Sequence, residues 1–130
     1  MVLLTAEQIR QANDLPFEDV PVPEWGGVVR VRCMSGKARN DYETALERDK
    51  EGSPVIQNDV RTILSAASMV DDKGDQLFSA KEVKDLAAKS WTALQRVFEA
   101  ALRLNGMSSK EASADQKNLP EEPGQGSSSS

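Results

Sequence analysis

The sequence predicts an α+β fold: a mostly helical single domain of four to five helices, one N-terminal β-hairpin and a disordered C-terminal tail. Three observations carry this. The stretch "VPVPEWGGVVRVRC", residues 20–33, alternates apolar and polar side chains around a Pro/Gly-rich centre, as two strands and a turn do. Later segments repeat apolar residues every three or four positions, the spacing of one helix face. All six aromatics lie before residue 100, and the last stretch is polar. The folded unit is therefore placed at residues 3–106 and the polar tail at 107–130. A chain of 130 residues has room for one domain, and at this size about two thirds of the unfolded surface can be buried.

The elements follow in order. "TAEQ" at residues 5–8 is a capping box, with Leu4 and Ile9 placed for a hydrophobic staple. This first helix ends by Leu15, because Pro16 disfavours helical backbone in the residue before it. Phe17–Val22 and Val28–Cys33 are the strands. Val29, Val31 and Cys33 share one face, and Val28, Arg30 and Arg32 the other. "PEWGG" between them is turn chemistry. An isolated two-stranded ribbon is marginal in water, so the valine face must lie on helices or on a partner.

Ser35 caps a helix over 36–49 with an apolar stripe of Ala38, Tyr42, Ala45 and Leu46. Pro54 suits the first turn of the next helix, which runs to Met69 on Ile56, Val60, Ile63, Leu64 and Ala67. "DDKG" makes a turn. "SAKE" at 79–82 is a second capping box, opening a short helix to Lys89. Ser90 caps the last helix, whose buried face is Trp91, Leu94, Val97, Phe98, Ala101 and Leu102. Gly106 is its terminating glycine. From Met107 onward the chain is too polar to offset its conformational entropy by burial.

Composition excludes several functions. The net charge is −5 and there is no histidine, which opposes nucleic-acid binding and docking to an anionic membrane. No apolar run reaches the length of about 18 needed to span a bilayer. "MVLLTAEQIR" lacks the basic start and long apolar core of a signal peptide. The single cysteine, Cys33, permits neither an internal disulfide nor a multi-cysteine zinc site, and fits a reducing cytosol. Without histidine, no Ser-His or Cys-His pair forms. The expectation is no enzyme, no cofactor and no metal.

One decoy is residues 71–82, "DDKGDQLFSAKE", which has the length of an EF-hand loop. Lys73 stands at position 3, where a ligand oxygen belongs, and Gln76 at position 6, where the turn needs glycine. A turn followed by a capped helix is the expected structure. For partner binding the candidates are Trp25, Arg30, Arg32, Lys37 and Arg39: an aromatic at the hairpin tip and a local basic cluster in an acidic chain. Trp and Arg are enriched at interface hot spots. For Trp25 the competing structural role is to fold back and cap the layer between hairpin and helices. For the cations it is a solvated face.

The order of parts resembles the small tail assembly chaperones of long-tailed bacteriophages and prophages, over about residues 4–107. "LTAEQI", then "VPEWGGVVRVR", then "DDKG…LF" and "KEVKDLAAKSWTALQRVFEAALRLNGMS" carry the likeness. The resemblance implies a non-enzymatic factor of the host bacterial cytoplasm, absent from the mature virion. It implies binding to the tape measure protein and recruitment of tail tube protein. It also implies a longer frameshifted form, of which this chain would be the short version. The alternative is a structural virion component, such as a head–tail adaptor or tail completion protein. A calcium-sensing module built on residues 71–82 is a third reading, which Lys73 opposes.

Overall fold

The computed structural model describes residues 2–51, 60–108 and 110–112. Its order is α1 (Ala6–Gln11), β1 (Phe17–Val22), β2 (Gly27–Arg32), α2 (Gly36–Glu51), α3 (Val60–Ser68), β3 (Met69–Val70), α4 (Val83–Ala87) and α5 (Trp91–Leu104). The architecture is α+β, as expected. The places assigned to Pro54 and Ile56 lie outside the described residues.

Local signals set most boundaries. At α1 the capping box forms: the Gln8 N–H donates to Thr5 Oγ1 at 3.2 Å, and the Thr5 N–H donates to Gln8 Oε1 at 2.9 Å. Ser35 Oγ accepts from the Ala38 N–H at the start of α2, and Ser90 Oγ from the Ala93 N–H at the start of α5. Each satisfies a donor that the first helical turn leaves without a partner. α5 ends in a Schellman motif, with Gly106 at φ +64°. The Met107 N–H reaches Leu102 O at 2.9 Å, and the Gly106 N–H reaches Arg103 O at 3.2 Å. Leu102 and Met107 both pack against the core, the apolar contact that accompanies this cap.

β1 and β2 pair antiparallel in the register Phe17↔Arg32 through Val22↔Gly27. Pro23–Trp25 form one 3-10 turn, and Gly26 at φ +77° completes the reversal. The Cys33 N–H donates to Pro16 O at 2.9 Å, so residues 18, 20 and 22 share ladder bonds with β2. Pro21, which has no N–H, therefore faces the open edge, where no ladder donor is lost. The sheet has a third strand, Met69–Val70, where the spacing predicts a helix running to Met69. Met69 and Val70 pair antiparallel with Val31 and Arg30. Two residues directly after a helix carry no periodicity of their own, so only the pairing with β2 defines them.

Val20, Val22 and Val31 turn inward onto the helices, where they are buried with Tyr42, Leu46, Ile63, Leu64, Leu86, Leu94, Val97 and Phe98. α3 is the central rod. Thr62, Ser65 and Ser68 are buried there along with its apolar face. It touches α2, α4, α5 and β2. Two ion pairs lash the hairpin to α5: Arg103–Glu18 at 2.7 Å and Arg96–Glu24 at 3.0 Å.

Trp91 departs from the expected core stripe and is 63% exposed. It is the first residue of α5, and helical side chains lean toward the N-terminus. Its indole therefore projects past the end of the packed layer, while Ala93 fills the buried position there. At the other end, the composition places the start of the polar tail at residue 107. The Glu111 N–H donates to Ser108 Oγ at 3.0 Å, and the Ser108 N–H donates to Glu111 Oε1 at 2.8 Å. This third capping box places Ala112 in the core at 0% exposure.

Candidate docking surface

Residues 71–82 form the expected turn. Asp71 Oδ1 accepts from the N–H groups of Lys73 (2.8 Å) and Asp75 (2.9 Å), and Gly74 sits at φ +88°. The Asp71 carboxylate is thus engaged by backbone, and Gln76 Nε2 is turned inward to Ala66 O at 3.0 Å. Among the described residues no group of three potential metal ligands occurs. Cys33 is half-buried, its thiol against Met34 O at 3.6 Å. Among the described residues no helix is long and apolar enough to cross a membrane.

The five residues singled out for partner binding divide between two sides of the hairpin and the start of α2. Trp25 is half-buried and packs against the core. Its turn is held by the neighbouring Glu24, whose carboxylate takes two-point hydrogen bonds from Arg96. Those bonds hold the Glu24 carboxyl below its ordinary pKa of 4.5. Arg30 and Arg32 share the opposite, outward face of the sheet. Arg30 forms a bidentate pair with Asp19 across the strands, at 2.8 and 3.1 Å, and lies 4.2 Å over the Phe17 ring. This hydrogen bonding lowers the Asp19 pKa and raises that of Arg30. The Arg32 guanidinium lies against Gly74, so close that a Cβ there would sit 2.6 Å from its Nη1. Lys37 and Arg39 lie in the first turn of α2 and pair along the helix with Asp41 (3.0 Å) and Glu43 (3.1 Å).

Sequence reasoning missed the apolar part of this surface. α1 buries none of its residues. Leu3 is 91% exposed, and Val2, Leu4 and Ile9 are also exposed, so the expected staple pair is not covered by the core. Phe17 and Val28 (65% exposed) are also exposed, on the outward face of the sheet, with the Arg30–Asp19 pair between them. The segment Ala12–Leu15 meets that face at a shallow cleft of about 290 Å³, lined also by Arg30, Arg32 and Asp71–Gly74. One signal was available: α1 is too short to show a stripe, and "VLL" belongs to no periodic segment.

The arrangement offers a non-covalent surface: an apolar arm and an amphipathic sheet face on which the Arg30 guanidinium is already paired with Asp19. A family model described as phage tail assembly chaperone matches residues 9–118. No curated protein and no solved structure matches the chain. The matched span begins within α1, takes in the whole sheet and helical core, and runs past Ala112; the chain belongs to the phage tail assembly chaperone family, a family of non-enzymatic assembly factors.

Proposed function

We propose that this chaperone binds the tape measure protein in the host bacterial cytoplasm, keeps it soluble, helps bring tail tube subunits to it, and is absent from the finished virion. The observation that supports this reading is the uncovered apolar side chains of the arm, Val2, Leu3, Leu4 and Ile9, together with Phe17 and Val28 exposed on the outward sheet face. Monomeric soluble proteins rarely leave contiguous apolar surface open, and such patches mark interaction sites. A long helical client with apolar stripes would be shielded by many copies of such a surface. The acidic net charge of −5 would keep the coated complex soluble.

The test is co-expression with the tape measure protein of the same phage. Wild-type chain is expected to raise the soluble fraction of the client, and the triple change Leu3→Ser, Leu4→Ser, Ile9→Ser to abolish the gain while leaving the fold intact. Equal client solubility with and without the chaperone refutes the reading. Stoichiometric recovery of the chain from purified virions would instead favour a structural virion component.

A further inference from the structure

The sheet has the strand order β1-β2-β3, with β1 and β3 at its edges. The β3 edge is taken: Val70 bridges to Gln76, and the Leu77 N–H donates to Met69 O at 3.1 Å. The β1 edge is open. Glu18, Val20 and Val22 turn their backbone groups to β2, so Phe17, Asp19 and Pro21 turn theirs away from it. Among the described residues no hydrogen bond reaches those outward backbone groups. The edge therefore presents the N–H groups of Phe17 and Asp19 and the carbonyl groups of Phe17, Asp19 and Pro21.

An open edge is a template for another strand, and proteins ordinarily blunt it with proline, with charge or with a covering element. β1 carries the first two devices in weakened form. Pro21 lies toward the far end of the strand and removes a single donor. The Asp19 charge is held by the Arg30 guanidinium in a bidentate pair, at 2.8 and 3.1 Å. Phe17, Asp19 and Pro21 are exposed, while buried Val20 and Val22 fix the strand in its extended form on the core. The open backbone groups are thus ordered before any partner arrives, which lowers the entropic cost of docking.

We propose that this edge docks an extended segment of a protein partner, added antiparallel to β1 as a further strand. The partner residue opposite Asp19 exchanges both backbone hydrogen bonds with it, and so does the residue opposite Phe17. The residue opposite Pro21 donates its N–H to the proline carbonyl. These partner positions share a sheet face with Phe17 and Pro21, so apolar side chains at the outer ones gain a cross-strand neighbour. The segment needs to stay extended over only about 13 Å, the rise of four residue steps of strand. Backbone pairing selects an extended occupant over a helical one, because a helix has already used its own N–H and carbonyl groups. A second copy is the poorer occupant. Pairing β1 with β1 about a two-fold axis centred on Asp19 sets Asp19 against Asp19, and like charges directly opposite each other are destabilising. The proposal does not depend on the tape measure reading, which uses side chains of the arm and the outward sheet face.

The experiment is NMR titration of the isotope-labelled full chain with a synthetic peptide of about nine residues, carrying Val-Thr-Thr-Thr-Val at its centre. Its counterpart has the same side chains with every backbone nitrogen methylated, which removes the donors. In the free chain the Phe17 and Asp19 amides should exchange with solvent at least about tenfold faster than that of Val20. The peptide should slow both at least about tenfold, and the methylated counterpart should not. Asp19→Pro deletes a donor that no bond to β2 uses, and should lower the affinity at least about tenfold. Asp19→Ala loses the same pair with Arg30 but keeps the N–H, and should bind within about twofold of wild type. Circular dichroism checks that both variants keep the fold, and the methylated peptide tests the pairing on the unaltered chain. Phe17 and Asp19 amides as protected as Val20 in the free chain, no slowing by the peptide, equal binding of the methylated counterpart, or an unaffected Asp19→Pro variant overturns the proposal. A dimer of the chain that Asp19→Pro dissociates would also overturn it, by giving the edge to a second copy.

Discussion

Asn105 should be the most informative single residue for stability. It caps α5, and its side chain joins three parts of the fold. Its Oδ1 accepts the Met34 N–H at 2.8 Å, and its Nδ2 donates to Ala101 O at 2.8 Å and to Ser68 Oγ at 3.4 Å. Met34 follows β2, Ser68 ends α3 and Ala101 lies in the last turns of α5. Asn105→Ala deletes all three contacts and leaves the half-buried Met34 N–H without its acceptor. A net hydrogen bond contributes about 1 kcal/mol, and a donor left unsatisfied costs about 1–3 kcal/mol. The 3.4 Å contact to Ser68 adds little. The expected loss is about 2 kcal/mol, which for a domain of this size lowers the melting temperature by roughly 6–10 °C. Asn105→Asp keeps an acceptor for Met34 and should lose less. Urea denaturation followed by circular dichroism measures both. An Asn105→Ala variant within about 0.5 kcal/mol of wild type, the range of ordinary surface changes, would refute the reasoning.

Other perturbations follow from the same geometry. Leu64→Ala at a fully buried position should cost about 3 kcal/mol in a chemical denaturation curve, since cavity formation adds to the lost transfer energy. Gly74→Ala should destabilise measurably, because φ is +88°, a backbone that an L side chain strains to adopt; the nearby Arg32 Nη1 is the mobile end of a side chain and can move aside, so Arg32→Ala should relieve little of the loss. The Glu24 and Asp19 carboxyls have lowered pKa values in the folded state, through hydrogen bonds from Arg96 and Arg30. Their stabilising effect is present above the unfolded values and is lost as the pH falls through the folded ones. The urea midpoint should therefore drop on acidification below about pH 4.5, and the drop should be smaller in Glu24→Gln. Calorimetry with Ca²⁺ should show no binding heat, because the Asp71 carboxylate already accepts two backbone N–H groups and Lys73 occupies a ligand position.

The caps of α1, α2 and α5, the Gly106 terminus, the hairpin and its alternating faces were all legible in the sequence. Each depends on residues within a few positions of one another: a hydroxyl three residues before an N–H, a glycine at positive φ, a period of two. The turn at residues 71–74 was legible for the same reason. The candidate site was legible only in part, since alternation placed Arg30 and Arg32 on one sheet face but not their partners. Asp19 lies eleven residues before Arg30, and only the strand register sets them opposite each other.

What the tertiary structure decided is what depends on distant chain. β3 exists because Met69 and Val70 reach β2. Ala112 is buried because a third capping box, inside a polar stretch, turns the chain back onto the core. Trp25 rests on the core because Glu24 meets Arg96, more than seventy residues away. Trp91 is exposed although its spacing matches the buried stripe, because periodicity gives direction around a helix axis and not where the neighbouring layer stops. The arm at residues 2–11 is open for a related reason: among the described residues no element covers its apolar side chains, and a local pattern cannot report what a distant neighbour does.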